Sequence, residues 1–151
     1  MAVTSFSRIA TTDRVTNVTT ATLTATEADH EGQFVTLNRA AGITVTLPAS
    51  TGGGARYRFI VGTTFTGSGI IQVANSSDVM TGLALVAQDG GDTCVMFETA
   101  ASSDTVTLNG TTTGGITGAD VELIDIAANK WFVNVRTAAT GTEATPFSAA
   151  V

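Results

Sequence analysis

Ile43, Val45 and Leu47 alternate with Thr44 and Thr46, and Pro48 closes the run. A side-chain period of two marks an extended strand with one buried and one solvated face. Proline has no N–H for a ladder and ends the strand. This period recurs along the chain and constrains its fold more than any other feature. Residues 33–38 and 42–48 are expected to pair as a hairpin through the short Arg39-Ala-Ala-Gly42 link. Further strands are expected over 56–62, 69–74, 82–87, 93–98, 104–109, 119–126 and 130–136, the last two joined at Ala127-Ala-Asn129. Gly, Asn, Ser and Asp separate them, most clearly in the Gly-rich turn 50–55. About eight or nine short strands at such spacing predict an all-β domain, a β-sandwich or jelly-roll-like fold. No exact internal repeat is visible, so no solenoid is expected. No convincing amphipathic helix is visible either, and threonine, about one residue in five, suits strands better.

The two ends lack this pattern. Apolar residues are thinly spread before residue 22, so 1–21 is expected to be an extended N-terminal arm, with 22–136 as the β-domain. Residues 137–151 are Ala/Thr-rich with only Phe147 to pack, and are expected to be a flexible or docking tail. A chain of 151 residues suits one domain, long enough to bury a core without disulfides or metal.

Charge and residue counts exclude several functions. Seven basic against thirteen acidic residues give a net charge of −6, which repels nucleic acid phosphates. Only 13% of residues are charged, about half the ~25% of an ordinary domain. One cysteine makes no internal disulfide, and one histidine makes no multi-histidine metal site. The first residues lack the basic and apolar regions of a signal peptide, and no apolar run approaches the ~20 residues of a spanning helix. Synthesis in a cytoplasm, with use or assembly there and no membrane partner, is the expectation.

Candidate chemistry is sparse. His30, in Asp29-His30-Glu31-Gly32, reads as a polar turn before a strand. Cys94, beside Val95, Met96 and Phe97, reads as a buried, inert thiol. Asp89-Gly-Gly-Asp92 offers two carboxylates to a cation but reads better as a hairpin turn. Asp29/Glu31 and Glu122/Asp125 are the only acid pairs worth weighing for glycoside hydrolysis, and a solvated strand face accounts for both. Gly52-Gly-Gly-Ala55 lacks the Lys-Ser/Thr of a phosphate loop. Arg56-Tyr57-Arg58 groups basic and aromatic character, as strand alternation alone would. Trp131 reads as a core or subunit-contact anchor. Catalytic residues, cofactors and metal ligands are therefore not expected, and neither is enzymatic activity.

The order of turns and strands carries a resemblance. Leu23-Thr-Ala-Thr precedes His30-Glu-Gly32 and Phe34-Val-Thr-Leu-Asn38; then come Gly42-Ile-Thr-Val-Thr-Leu-Pro48 and Arg56-Tyr-Arg-Phe-Ile-Val-Gly62. Near the end, Gly118-Ala-Asp-Val-Glu-Leu123 is followed by Asn129-Lys-Trp-Phe-Val133. Over about residues 22–136 the chain resembles the small β-rich head decoration, or cement, proteins of tailed bacteriophages. It departs from their pattern where Ala119 separates Gly118 from Asp120, and at Ile126-Ala-Ala128 where a Gly turn is usual.

The resemblance implies a structural virion protein on the outer capsid surface, often a homotrimer, that binds between major capsid protein subunits and stabilises them. It has no need of catalysis. Phe6, Arg8, Ile9 and Arg14 of the arm, with Trp131 and Phe147, are the expected capsid or subunit contacts. A tail fibre, spike or receptor-binding β-domain of a phage is the alternative. A small carbohydrate-active enzyme lacks a convincing acid pair, and the chain is too short and too purely β for a major shell protein.

Overall fold

The computed structural model describes residues 15–88 and 93–151. Among these residues, twelve strands and one helical turn follow in order: β1 (Val15–Val18), β2 (Thr22–Thr24), α1 (Glu27–His30), β3 (Phe34–Leu37), β4 (Thr44–Thr46), β5 (Arg56–Val61), β6 (Gly69–Gln72), β7 (Val79–Gln88), β8 (Cys94–Glu98), β9 (Thr105–Leu108), β10 (Asp120–Ala127), β11 (Lys130–Ala139) and β12 (Phe147–Ser148). They form two packed sheets, an all-β sandwich. The larger sheet runs β1-β3-β5-β10-β11-β7-β8, the smaller β12-β9-β6-β4-β2.

The first half is wound rather than folded into hairpins. β1, β3 and β5 stack in parallel in the large sheet, with Val15 beside Phe34 and Phe34 beside Arg58. β2, β4 and β6 do the same in the small sheet, through Thr22, Thr44 and Ile70. Each strand of one sheet thus leads into a strand of the other, three times over. The expected hairpin between 33–38 and 42–48 is corrected: β3 and β4 lie in opposite sheets. Alternation shows that each strand buries one face, but not whether the two faces lie side by side or meet across the core. Here they meet, with Val35, Leu37, Ile43, Val45 and Leu47 all buried. Arg39 donates from its guanidinium to the Gly42 carbonyl at the crossing. Gly42 takes φ 96° there, and a β-carbon would run into the backbone of Ser68.

The second half closes the sandwich. β10 and β11 are the expected hairpin, with Asn129 at φ 61°, a left-handed conformation that asparagine tolerates. β10 also pairs with β5, and β11 runs parallel to β7 over ten residue pairs from Lys130↔Val79 to Ala139↔Gln88. Tyr57, Phe59, Leu123, Trp131, Val133 and Val135 from the large sheet pack in one core with Ile71, Val106 and Leu108 of the small one and with Val73 just past β6.

Both end segments reach further into the domain than the sequence pattern indicated. Residues 15–18 of the expected arm form β1, with Val18 buried, so the sandwich begins before residue 22. Of the expected tail, 137–139 continue β11, and β12 pairs with β9 through Phe147↔Val106. A single aromatic residue suffices to dock the end because Asp104 accepts from the N–H groups of Ala150 (2.8 Å) and Val151 (3.3 Å).

Candidate interaction surface

The sandwich geometry assigns each candidate side chain to a face. Trp131 is fully buried, its ring edge-on to Tyr57 with centroids 5.8 Å apart. Phe147 is buried too. Both pack within their own chain. Phe6, Arg8, Ile9 and Arg14, like Asp89 and Asp92, lie outside the described residues.

Two polar candidates, His30 and Asp125, have structural partners. His30 ends α1, and its Nδ1 accepts from the Thr26 N–H at 3.1 Å, while the Thr26 hydroxyl caps the same turn by accepting from Asp29 N–H. Asp29 remains exposed beside it. Glu122 and Asp125 do not form an acid pair, and for Asp125 the expected solvated face is corrected. Its side chain is buried and accepts from Thr51 N–H (2.9 Å), Thr51 Oγ1 (3.0 Å), Gly52 N–H (2.8 Å) and Gly53 N–H (3.1 Å). The Gly-rich loop does cradle an anion, the chain's own carboxylate. Burial opposes ionisation of Asp125, yet these donors hold its pKa below the ordinary carboxylate range.

Cys94 also needs correcting, for it is exposed. β8 is the last strand of its sheet, and its period-2 pattern turns Val95 and Phe97 inward and Cys94, Met96 and Glu98 outward. Among the described residues nothing packs over this outer face, so its side chains meet water whatever their polarity.

The outer face of the large sheet carries two neighbouring features. At its centre Arg58 forks Asp120, with Nε to Oδ1 at 2.9 Å and Nη2 to Oδ2 at 2.8 Å, and Arg136 Nη2 reaches Oδ2 at 2.5 Å. Burial opposes ionisation of Asp120, but the hydrogen bonds and charges of Arg58 and then Arg136 bring its pKa below the usual range. The Arg58 guanidinium also stands 5.2 Å from the Phe34 ring centre. Arg56 lies 3.7 Å from Glu122, across a shallow cleft of about 180 Å³. Three guanidiniums thus face two carboxylates, and the Arg56-Tyr57-Arg58 group retains little free positive charge.

Towards β8 the same face becomes apolar. Leu83 (44% exposed), Leu85 (40%), Phe132 (36%) and Met96 (60%) all point outward. The register sets Leu85 directly beside Met96 on one side and Arg136 on the other. Val15 and Phe34 add exposed apolar surface at the opposite edge. Alternation did not single out these side chains. Their signal lies where alternation fails: Leu83-Ala-Leu-Val86, Cys94-Val-Met-Phe97 and Trp131-Phe-Val133 are apolar in both phases, as strands covered on both faces are.

Among the described residues, no group of three or more His, Cys, Asp or Glu side chains is placed to hold a metal ion, and no helix is long and apolar enough to cross a membrane. The chain matches no protein-family model, no curated protein and no solved structure.

Proposed function

We propose that this protein is a structural component of a bacteriophage virion, decorating the capsid and stabilising it by binding between major capsid protein subunits. The observation that carries the reading is the apolar outer face of the seven-stranded sheet. Leu83, Leu85, Met96 and Phe132 stand together in solvent, whereas large apolar side chains left outside a sandwich are ordinarily scattered. Such a face gains free energy when covered, roughly 25 cal/mol for each Å² of apolar surface removed from water. The resemblance of residues 22–136 to head decoration proteins supplies the partner, and with it the homotrimer and the location on the outer capsid surface. The structural chemistry agrees with a protein of contacts: Asp125, Asp120 and His30 are each engaged by their own chain.

Mixing the purified protein with expanded, undecorated capsids of its own phage is the test. Saturable binding and greater resistance of the capsids to heat or chelation are expected. Absence of binding would sink the proposal. Imaging the virion separates it from the receptor-binding alternative, which puts the chain at the tail tip rather than over the head.

A further inference from the structure

Among the described residues, β8 ends its sheet with an unpaired edge. Gln88 N–H donates to the Thr93 carbonyl (3.2 Å) and Thr99 N–H to that of Gly82 (3.1 Å), which fixes the phase of the β7–β8 ladder. In an antiparallel pair the alternate residues turn their backbone groups the other way. With Leu83 opposite Glu98, Leu85 opposite Met96 and Ala87 opposite Cys94, the N–H and C=O groups of Cys94, Met96 and Glu98 point out of the sheet.

These six groups are self-complementary. Turned about a two-fold axis at Met96, Cys94 of one strand meets Glu98 of the other and Met96 meets Met96. Each of the three residue pairs then makes two N–H···O=C bonds, and no outward group is left over. The same operation joins Leu85 and Met96 to Met96 and Leu85 of the second copy in one apolar stripe across the outer face. Glu98, the only charged residue of β8, then faces an uncharged Cys94 rather than a like charge. Two usual guards of an edge are missing, since β8 contains neither lysine nor proline. The other edge strands are shorter: β1 has four residues, β2 three and β12 two.

We propose that two copies of this chain pair antiparallel through β8 about a two-fold axis at Met96, making one continuous sheet of both large sheets. The contact is isologous, as a two-fold requires. It is distinct from the three-fold contacts that the family resemblance implies, and it does not depend on the capsid reading. A five-residue strand pair is smaller than the ~1,200 Å² of a standard stable interface, so free copies associate in a concentration-dependent way.

Disulfide trapping in the full-length chain tests both the contact and its register. In a Cys94→Ser background, Met96→Cys sets two thiols opposite each other at a Cα separation of about 5.5 Å, within disulfide reach. Oxidation is expected to give a covalent pair of chains on a non-reducing denaturing gel. Thr81→Cys in the same background, on the same face but off the edge, is expected to stay single. Met96→Pro removes only an outward N–H, and Met96→Lys sets two ammonium groups against each other. In sedimentation experiments each is expected to raise the dissociation constant of the pair by ~10-fold or more, with melting temperature unchanged. Met96→Lys decides the matter if the proline variant does not fold. No trapping at position 96, or unaltered self-association of the lysine variant, overturns the proposal. Trapping that disappears when residues 1–14 are deleted overturns it too, because the arm would then be what joins the copies.

Discussion

Glu122 and Asp125 are three residues apart on β10, and in an extended strand an odd spacing sends two side chains to opposite faces. Glu122 therefore meets Arg56 on the outer face while Asp125 closes the 51–53 loop from inside. Asp125→Ala leaves four donors without their acceptor and is expected to lower stability by about 2–4 kcal/mol. Urea denaturation measures this, and an unchanged midpoint would show that the loop holds itself. Tyr57 makes the opposite case, since its buried hydroxyl has no hydrogen-bond partner among the described residues. Tyr57→Phe should therefore change stability by less than about 1 kcal/mol. Trp131→Ala, which empties the core against the same ring, should cost about 3–5 kcal/mol. The acid pairs were visible in sequence, but which face each acid occupied became clear only with the ladder. Cys94 is exposed for a related reason: apolar neighbours argue for burial of both phases of a strand only if both faces of its sheet are covered.

At the scale of elements, strand positions were legible and strand partners were not. Residues 33–38 and 42–48 do contain β3 and β4, yet a four-residue link serves a crossing between sheets as readily as a hairpin. The hydrogen bonds decide it: Asn38 N–H goes to the Val18 carbonyl and Thr44 N–H to that of Ala21, each in the preceding turn of the winding. The winding leaves no mark in the sequence because its three turns share a backbone path and no sequence repeat. Gly42→Ala should destabilise by more than about 2 kcal/mol, as both its φ and the nearby Ser68 backbone oppose a side chain. β1 makes a further prediction. Deleting residues 1–14 should leave the melting temperature of the domain intact and weaken capsid attachment. Deleting 1–18 also removes a strand with a buried valine and should lower the melting temperature, seen by circular dichroism. Equal melting of the two truncations would show that β1 is dispensable.

At the scale of the whole molecule, stability should have an acid and an alkaline limit. Asp120 and Asp125 both have folded-state pKa values below those of free carboxyls. Their contributions are complete above the unfolded-state value near ~4 and are lost as pH falls through the lower folded values. Tyr57 runs the other way, pushed up to about 12 by burial first and then by Glu27, Glu31 and Asp125. Its contribution is complete below about 10 and is lost as pH rises through about 12. Thermal melts across pH should show a plateau with two falling limbs, and Tyr57→Phe should flatten the alkaline one. An unaltered alkaline limb in that variant would assign it to other groups. The apolar outer face also belongs to this scale, because Leu83, Leu85, Met96 and Phe132 come from three strands that only the closed sheet makes neighbours.

Local periodicity by itself determined the all-β class, most strand positions, the β10–β11 hairpin and the inward set Ile43, Val45 and Leu47, since the extended backbone turns successive side chains to opposite faces. Which strands pair, which sheet each joins and which strand is left at an edge were decided only by tertiary structure. Ladder hydrogen bonds join backbone groups that every residue carries alike, so the side-chain pattern holds no record of the partner. That β8 stands at an edge among the described residues follows from that pairing.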